Sequence, residues 1–319
     1  MENQTMVTEI ILLGFHHLHS MRHLLFSIIL VVYCLTISGN FLIIVLVSCC
    51  RHLHFPMYFF LTQMSISDIL LTTNIAPQML SIVNHEGGII VFKACLNQYY
   101  FFVAFEISEC LLLTVMSYDR YLAICNPLQY NSIMDHAVCI KLIVISWVFS
   151  YPGFLIGLFI VVSISQLEFC GPNIIDHFFC DIDPLLTLSC SDTLIIHVEA
   201  LFLCVIVLII PFLLIIVSYV YIALTISKIP SSSGKKKAFS TCSSHLTVVS
   251  MYYGTLIGIY TVPTHKRSLL TSKILSMFFT VVTPMLNPII YSLRNNDIRE
   301  ALKKINLYPL INRSILNKF

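Results

Sequence analysis

The sequence predicts an all-α membrane protein, a bundle of seven transmembrane helices followed by a short amphipathic eighth helix. Hydrophobic residues make up 57% of the 319 residues and charged residues only 11%, whereas soluble domains carry about 25% charged residues. Apolar segments of about 20 residues, the length that crosses a bilayer, recur along the chain. We place the seven spans at 24–48, 57–83, 97–122, 139–163, 195–226, 239–262 and 270–292.

Three parts are predicted along the chain. Residues 1–23 form an N-terminal tail, residues 24–293 the membrane domain, and residues 294–319 a C-terminal helix and tail. The N-terminal tail has no apolar stretch typical of a cleavable signal, so we expect the first span to direct insertion itself. The segment 228–237, KIPSSSGKKK, predicts a flexible cytosolic connection before the sixth span.

A short amphipathic helix is predicted after the seventh span. Apolar residues recur there at helical spacing, with basic residues between them. They are Ile298, Ala301, Leu302 and Ile305. Such a helix is expected to lie on the inner leaflet of the membrane.

The distribution of Lys and Arg predicts the orientation of the chain. Thirteen of the 18 lie at the C-terminus or in loops on its side of the membrane, and the other five lie on the opposite side. Cytoplasmic loops carry the excess of basic residues, so we expect the C-terminus inside and the N-terminus outside. Asn3 begins an N-glycosylation sequon on that outer tail, in agreement. The net charge of +2 gives no reason to expect a nucleic-acid partner.

Charged residues interrupt the second and third spans. The acids are Asp68, Glu106 and Glu109. Neither helix can therefore face lipid on all sides. Asp119 and Arg120 end the third span, about 37 Å from Cys95 at about 1.5 Å per residue, which places them at the opposite mouth of the membrane. From the residues alone, Arg120 is either a side chain that snorkels to the membrane edge or a member of a functional charge pair.

Several motifs occur in a fixed order from the first span to beyond the seventh. They are Gly39 with Asn40, LHFPMYFFL at 53–61, SISD at 65–68, MSYDRYLAIC at 116–125, KAFSTCSSHLTVV at 237–249 and PMLNPIIYSLRN at 284–295. In this order they closely resemble the motifs of olfactory (odorant) receptors of the tetrapod type. That family belongs to the rhodopsin-like (class A) G-protein-coupled receptors.

The resemblance implies a function. Such a receptor lies in the plasma membrane, binds small volatile odorants in a transmembrane pocket and activates a heterotrimeric G-protein. The family's G-protein is of the stimulatory olfactory type and raises cyclic AMP. The expected partners are therefore an odorant, the G-protein and membrane lipid, and neither enzymatic activity nor a resident cofactor is implied.

The resemblance also implies a switch at the inner end of the third helix. Arg120 is restrained by Asp119 at rest and faces the G-protein once the sixth helix moves outward. The residues carried over to this switch are Asp119, Arg120, Tyr121, Tyr219, Asn287, Pro288 and Tyr291; the tyrosines at 219 and 291 are expected to turn toward Arg120. Independently, Pro288 and Pro211 are expected to bend their helices, because each lacks a backbone donor.

A ligand cavity is implied between the third, fifth, sixth and seventh helices, near their outer halves. By motif offset, its wall comprises Phe102, Val103, Glu106, Ile107, Cys110, Ala200, Leu203, Cys204, Val207, Tyr253, Leu256, Ile257, Tyr260, Phe279 and Thr280. A mostly apolar wall with few polar groups suits a small volatile molecule. For each of these residues, ordinary helix packing is the alternative interpretation.

Glu106 departs from the family pattern. An acid at this depth either pairs with a protonated amine of the ligand or is a protonated or internally hydrogen-bonded carboxyl.

Asp68 and Glu109 also have two alternative interpretations. Buried carboxylates need a cation, a proton or donors, so they either hold a sodium ion, with Asn40 and Asn287 nearby, or form a proton-sharing polar cluster.

Four cysteines lie on the outer side, where disulfides form. Spacing alone allows three pairings among them, and the resemblance implies Cys95 with Cys180 and Cys170 with Cys190. The segment HFFCD at 177–181 raises the alternative of a metal site on His177 and Asp181. An oxidised Cys180 could not serve as a thiolate ligand, so solvated polar groups are the simpler interpretation of this segment.

Other classes of membrane protein remain as alternatives at this stage. A secondary transporter would also use acids at mid-depth, although no internal repeat is visible and the motifs are those of a receptor. A membrane enzyme would need a nucleophile or metal motif, and neither HExxH nor GxSxG occurs. A receptor expressed outside the nose, with a non-volatile agonist, is the third alternative.

Overall fold

The computed structural model describes residues 7–170, 172–260 and 269–304 of the chain. The α-helices in these ranges are α1 Arg22–Cys49, α2 Pro56–His85, α3 Phe92–Cys125, α4 Tyr130–Ile133, α5 His136–Ser165, α6 Ile182–Leu186, α7 Leu194–Cys204, α8 Ile210–Lys228, α9 Ser232–Tyr260, α10 Leu269–Met277, α11 Thr283–Arg294 and α12 Asn296–Lys304. A 3₁₀ helix, His16–Met21, precedes α1. Asn3 lies outside the described residues.

Seven of the described helical stretches correspond to the predicted spans. α7 and α8 together form the fifth span, Leu194–Lys228, and α10 and α11 form the seventh, Leu270–Arg294. These two and α1, α2 and α3 are long and apolar enough to cross a membrane. α5, with 30 residues, and α9, with 29, have the required length. The prediction of a helical membrane bundle is therefore confirmed.

Short π-helical turns join the two halves of the fifth and seventh spans. Val205–Ile209 precedes Pro211, and Phe278–Val282 precedes Pro284. A proline lacks the amide donor that a helix needs and its ring clashes with the preceding turn, so a local change of hydrogen bonding is expected there. Both prolines lie in the first turn of the α-helix that follows, and the effect predicted for Pro211 therefore takes the form of a π turn.

Other helices provide donors for carbonyl groups close to these prolines. In an α-helix the amide of residue i bonds the carbonyl of residue i−4, so Pro288 leaves the Pro284 carbonyl without this donor. Val207 lies in the π turn before Pro211, where the i−4 pattern is interrupted. Cys110 Sγ donates to Val207 O at 2.8 Å, and Asn40 Nδ2 donates to Pro284 O at 3.0 Å. Side chains of α3 and α1 therefore satisfy backbone groups of the fifth and seventh spans.

A small sheet covers the end of the bundle that carries the N-terminus, which was predicted to be the outer end and is named so below. Strand β1, Glu9–Leu12, lies between β2, Gly88–Val91, and β3, Ile174–Ile175. β1 is antiparallel to β2, with Ile11 opposite Ile89, and parallel to β3, with Ile11 opposite Ile174. The predicted N-terminal tail is thus folded in part, and the side chains of Ile10 and Leu12 are fully buried beneath the sheet.

The connection predicted to be flexible before the sixth span is shorter in the structure. α9 begins at Ser232, so Lys235 and Lys236 extend the helix. Lysine is a good helix former, and one Gly in an otherwise favourable segment costs only about 1 kcal/mol. Only the residues between Lys228 and Ser232 connect the two helices.

The predicted amphipathic helix is present as α12, but its apolar side faces protein. Ile298, Ala301 and Leu302 are buried, and α12 contacts α11, α1 and the 3₁₀ turn Arg51–Leu53. Ile305 lies outside the described residues. The apolar face of α12 was expected to contact the inner leaflet. It packs against the bundle instead, and α12 closes the end of the bundle opposite the sheet.

Candidate functional site

Aromatic side chains meet where the third, sixth and seventh spans approach the loop between α5 and α7, which we call the outer loop. The Phe102 ring lies 5.4 Å from that of Phe179 in the loop and 6.3 Å from that of Phe279 in the seventh span. Tyr252 lies 5.5 Å from Phe279, centre to centre. Aromatic pairs at such distances add favourable edge and face contacts to apolar burial. Phe102 and Phe279 therefore lie close together, as expected of two residues that were predicted to line the same ligand cavity.

Cys110 connects three helices through a buried polar contact. Its thiol donates to Val207 O at 2.8 Å, and Tyr253 Oη lies 2.9 Å from Cys110 Sγ. The Tyr253 ring also packs against Phe212, with ring centres 4.4 Å apart. The π turn of the fifth span exposes the carbonyl that accepts the thiol, so α3, the fifth span and α9 meet at one point. A ligand between these helices would change this contact.

Glu106 is buried one turn outside this contact, and 7% of the residue is exposed. None of the described side chains donates a hydrogen bond to its carboxylate. Its backbone carbonyl accepts a hydrogen bond from Tyr252 Oη at 2.9 Å, which ties α9 to α3. Buried polar groups normally have partners, so this carboxylate is able to accept a hydrogen bond from a bound molecule.

The other predicted wall residues differ in burial, according to the helix face on which each one lies. Buried members are Ile107, Leu203, Val207, Leu256 and Thr280, and half-buried members are Val103, Ala200 and Cys204. Ile257 is 49% exposed and does not belong to an interior wall, so this prediction is wrong. Successive residues of a helix lie about 100° apart, and α9 turns Tyr252, Tyr253 and Leu256 inward. The side chain of Tyr260 lies outside the described part of the chain.

Near mid-depth, Asp68 and Glu109 lie in a polar cluster. Asn287 Nδ2 donates to both carboxylate oxygens of Asp68, at 3.0 and 3.1 Å. Glu109 lies close enough to Asp68 for their charges to repel each other. Of the four residues predicted to meet here, three have a buried acceptor oxygen without a hydrogen-bond partner in the described part of the chain: Glu109 Oε1, Asn40 Oδ1 and Asn287 Oδ1. A set of buried oxygens with two acids and no described basic partner matches the needs of a hard cation or of shared protons.

At the inner end of α3, Asp119 holds Arg120 within its own helix. Arg120 Nε donates to Asp119 Oδ2 at 2.9 Å, and Arg120 Nη2 also contacts that oxygen. Tyr130 Oη of α4 donates to Asp119 Oδ1 at 2.7 Å. Burial, with Asp119 nearby, raises the pKa of the Tyr130 phenol, so it remains a donor. Both carboxylate oxygens are therefore engaged while Arg120 is restrained.

The two tyrosines expected to approach Arg120 are engaged elsewhere or unpaired. Tyr219 Oη lies 2.6 Å from His245 Nδ1, and His245 Nε2 lies 3.2 Å from the Leu113 carbonyl. His245 is fully buried and links α8, α9 and α3. Tyr291 is also fully buried, and no described group bonds its hydroxyl. This arrangement agrees with a resting state in which neither hydroxyl has turned toward Arg120.

A cavity of about 670 Å³ opens at this end of the bundle. Arg120, Lys236 and Arg294 line it with one acid, Asp297, so basic residues predominate in its wall. Arg294 Nη1 donates to Thr247 Oγ1 at 2.7 Å and joins the seventh span to α9. Outward movement of α9 would break this contact and widen the cavity.

Tyr58 and Tyr121 add contacts at the same end. Tyr58 Oη of α2 donates to Asp297 Oδ2 at 2.6 Å and to Asn295 Oδ1 at 3.1 Å, and so holds the start of α12. The Tyr121 ring packs edge-on against Tyr221 of α8, with ring centres 6.0 Å apart. Sequence reasoning did not single out Tyr58, although it lies in the motif LHFPMYFFL.

Both implied disulfides are present at the outer end. Cys95 bonds Cys180, and Cys170 bonds Cys190. The first ties the outer loop to α3.

His177 is buried, with its ring 4.6 Å from Phe178 and 4.9 Å from Phe179. The solvated interpretation of this histidine is therefore wrong, because the loop folds inward over its aromatic residues.

Lys273 was missed by sequence reasoning and is buried at the outer end of α10. Its ammonium group donates to Gly14 O at 2.6 Å and to Asp176 Oδ1 at 2.5 Å. It therefore joins the seventh span, the N-terminal segment and the outer loop. It lies in the first turn of the predicted seventh span, 270–292, and was counted only as one of the five basic residues on the outer side.

Comparisons with known proteins agree with this geometry. The sequence model of the olfactory receptor family matches residues 29–308. Olfactory receptor 11L1 of Homo sapiens is 47% identical over 304 residues, which cover 95% of this chain and 94% of that protein. Olfactory receptor 1M1 of Mus musculus is 45% identical over 314 residues, which cover 98% of each.

A solved structure shows the same fold. The crystal structure of squid rhodopsin superposes with a TM-score of 0.71 over 92% of this chain and 87% of that chain, at 17% sequence identity. That likeness concerns the fold alone. The family match spans most of the chain and the relatives are nearly half identical to it, so this protein belongs to the olfactory receptor family.

Proposed function

We propose that this receptor binds small volatile odorants between its third, fifth, sixth and seventh spans and activates the stimulatory olfactory G-protein, which raises cyclic AMP. Membership of the family and the rhodopsin-like fold make the protein an odorant receptor that acts through G-proteins and not an enzyme. We propose in addition the ligand site, the type of G-protein and the second messenger.

One observation supports the proposed location of the ligand site. Glu106, Cys110 and Tyr253 form a small polar group within an interior wall that is otherwise apolar and aromatic. Sites for small molecules are mostly apolar with a few convergent polar groups. Two π turns border this region, and π turns occur often at functional sites. A ligand that displaces the Cys110–Tyr253 contact would act directly on α9.

The cytoplasmic end supports the coupling role. Arg120 lines a basic cavity but is restrained by Asp119, and α9 is held by Tyr219 and Arg294. A ligand shifts such an equilibrium only by its differential affinity for the two states. Odorant binding at α9 would provide that difference, because the helix that lines the ligand site also carries His245 and Thr247.

The orientation is part of the proposal. We place the N-terminus and the disulfide-bonded loop outside the plasma membrane, and α12 in the cytosol. Disulfides form in oxidising compartments, and basic residues favour the cytosolic side. An epitope added before Met1 would be labelled on intact cells, whereas one added after Phe319 would require permeabilised cells.

A cyclic AMP assay with a mixed odorant panel tests the function. Cells that display the receptor, with the stimulatory olfactory G-protein supplied, are expected to respond to at least one apolar volatile. Cells given an inhibitory G-protein instead should show no rise. A rise that occurs equally in cells without the receptor would contradict the proposal.

Glu106 predicts a preference for ligands with a protonated amine. For an amine agonist, Glu106→Gln is expected to reduce potency by at least about tenfold, since a hydrogen bond to a charged group contributes about 1.5–3 kcal/mol. Concentration–response curves at equal surface display measure the change.

Two controls separate this effect from general damage. Glu9→Gln makes the same chemical change at an exposed position of β1 and should leave potency unaltered. An uncharged agonist should retain its potency on Glu106→Gln. Equal amine potency on the parent and Glu106→Gln would show that the carboxyl does not contact the amine.

We further propose that Asp68 and Glu109 hold a sodium ion, with Asn40 and Asn287 as additional oxygen ligands. The unpartnered oxygens of Glu109, Asn40 and Asn287 support this, because sodium is bound by such oxygen atoms. The competing interpretation, a proton shared within the cluster, uses the same residues.

Thermal stability in different salts separates the two interpretations. The purified receptor is expected to be more stable in Na⁺ than in an equal concentration of K⁺, by about 1.4 kcal/mol at ten times the dissociation constant. Glu109→Gln should abolish the difference, whereas Glu86→Gln, on the outer surface, should preserve it. If stability changes with pH and is identical in the two salts, the shared-proton interpretation is correct.

A further inference from the structure

Two histidines and an aspartate meet on the outer surface, away from the ligand site and the switch. His16 and His17 begin the 3₁₀ helix that leads into α1, and Asp176 follows β3 in the outer loop. One nitrogen of each imidazole and one carboxylate oxygen all lie within 4.8 Å of one another. The two imidazole rings lie 3.6 Å apart, centre to centre. Three potential metal ligands from two separate segments are thus brought together.

The spacing suits a tetrahedral metal ion. His16 Nδ1 lies 3.5 Å from Asp176 Oδ1. Two ligand atoms of a tetrahedral zinc ion lie about 3.3 Å apart when each is about 2.0–2.1 Å from the metal. These two atoms are already near that separation. His17 is exposed, so its ring is free to rotate inward and complete the set.

His16 Nδ1 is a buried atom that forms no hydrogen bond with any described group. A buried ring nitrogen without a hydrogen-bond partner is unusual, and a cation between this nitrogen and the nearby Asp176 carboxylate would be a partner for both. Asp176 Oδ1 already accepts from Lys273. A carboxylate oxygen has more than one lone pair, so the same oxygen, 3.5 Å from His16 Nδ1, can also bind a metal.

From this arrangement we infer that His16, His17 and Asp176 bind a transition-metal dication such as Zn²⁺ or Cu²⁺ at the outer surface. Imidazole nitrogen with one carboxylate is a common ligand set for both ions. Water completes the coordination at the exposed side of His17. The nearby ammonium group of Lys273 repels the ion, which makes the site weaker than a structural zinc site.

Metal binding would stabilise the outer cap of the receptor, which consists of the three-stranded sheet, the segment before α1 and the outer loop. The ion joins the N-terminal segment before α1 to the outer loop, which Cys180 ties to Cys95 of α3. The same loop places Phe179 against Phe102. An ion that binds only the folded arrangement stabilises it by mass action.

Zn²⁺ binding to the full-length receptor in detergent micelles tests the inference. The protein is purified with a tag that contains no histidine, and Zn²⁺ is supplied in competition with a chromophoric chelator. The parent is expected to bind one more Zn²⁺ than His16→Ala/His17→Ala, and Zn²⁺ should raise the melting temperature of the parent more than that of the variant. The apparent affinity of this one site should fall by more than about tenfold in His17→Ala, since even outer-shell changes cost that much.

Controls keep the result specific. His23→Ala removes an exposed histidine from the first turn of α1 and should bind Zn²⁺ as the parent does. His17→Ala alone changes an exposed side chain, so it provides a folded variant if the double variant is unstable. Equal stoichiometry and equal affinity in the parent and His17→Ala would overturn the inference, as would a parent that binds no Zn²⁺.

Discussion

Replacing Asp176 by asparagine is expected to destabilise the receptor by about 3 kcal/mol, because the charge of Lys273 would lose its partner of opposite charge and keep only the Gly14 carbonyl. Removing one member of a buried ion pair costs about 3–5 kcal/mol. The lower end applies because the Asp176 side chain is 22% exposed, although that of Lys273 is only 2% exposed. The melting temperature of the purified receptor and its display on the cell surface measure the loss.

The reverse replacement distinguishes a buried charge from a lost contact. Lys273→Met removes the buried ammonium and leaves Asp176 partly hydrated, so its cost should be smaller. The double variant Lys273→Met/Asp176→Asn should be more stable than Asp176→Asn alone. Asp183→Asn, an exposed acid of the same loop, is the matched control. If Asp176→Asn melts at the same temperature as Asp183→Asn, the ion pair does not stabilise the cap.

Changes at Asp119 and Arg120 are expected to have large effects of opposite sign. Asp119→Asn weakens the restraint on Arg120 and should raise ligand-independent cyclic AMP by about tenfold, since a hydrogen bond to a charged group contributes about 1.5–3 kcal/mol. Arg120→Ala removes the group that faces the G-protein and should abolish the response to an agonist. Both are measured at equal surface display.

Tyr130 provides a graded control for this pair. Tyr130→Phe removes only the donor to Asp119 Oδ1, so it should raise basal cyclic AMP in the same direction but by less than Asp119→Asn. Ser132→Ala, in the same short helix, changes an exposed hydroxyl that bonds only the local backbone and should have no effect. Unaltered basal activity in Asp119→Asn would mean that the pair does not restrain the receptor.

Helical spans could be predicted because their signal is local and strong. A segment such as 24–48 must be apolar throughout to cross the bilayer, and α1 covers Arg22–Cys49. The disulfides were available only through the resemblance, since spacing left three pairings open. The charge pair at Asp119 could be located by counting helical rise, and its two residues form the expected contact.

The outer cap could not be predicted, because its contacts join segments that are distant in sequence. β1 has four residues and β3 two, too few for an alternating pattern to show. Lys273 lies 97 residues from Asp176 and 259 from Gly14. Nothing near Lys273 in sequence indicates that it is buried.

Helix rotation limited the prediction of the interior wall. Motif offset located α9 correctly, but it placed Ile257 inside and omitted Tyr252. The structure has Ile257 half exposed and Tyr252 fully buried, with its hydroxyl bonded to the Glu106 carbonyl. An offset of one residue turns a side chain by about 100°. Proline positions, by contrast, indicated real departures from α-helix, as the π turn before Pro211 shows.

In the proposed function, a ligand bound between the helices activates a G-protein through Arg120. The most direct test of this coupling is the cyclic AMP response to an agonist from the odorant panel, in cells with the stimulatory olfactory G-protein, for the parent and Arg120→Ala at equal surface display. We expect a dose-dependent rise in the parent and none in Arg120→Ala. A response that survives Arg120→Ala would contradict it.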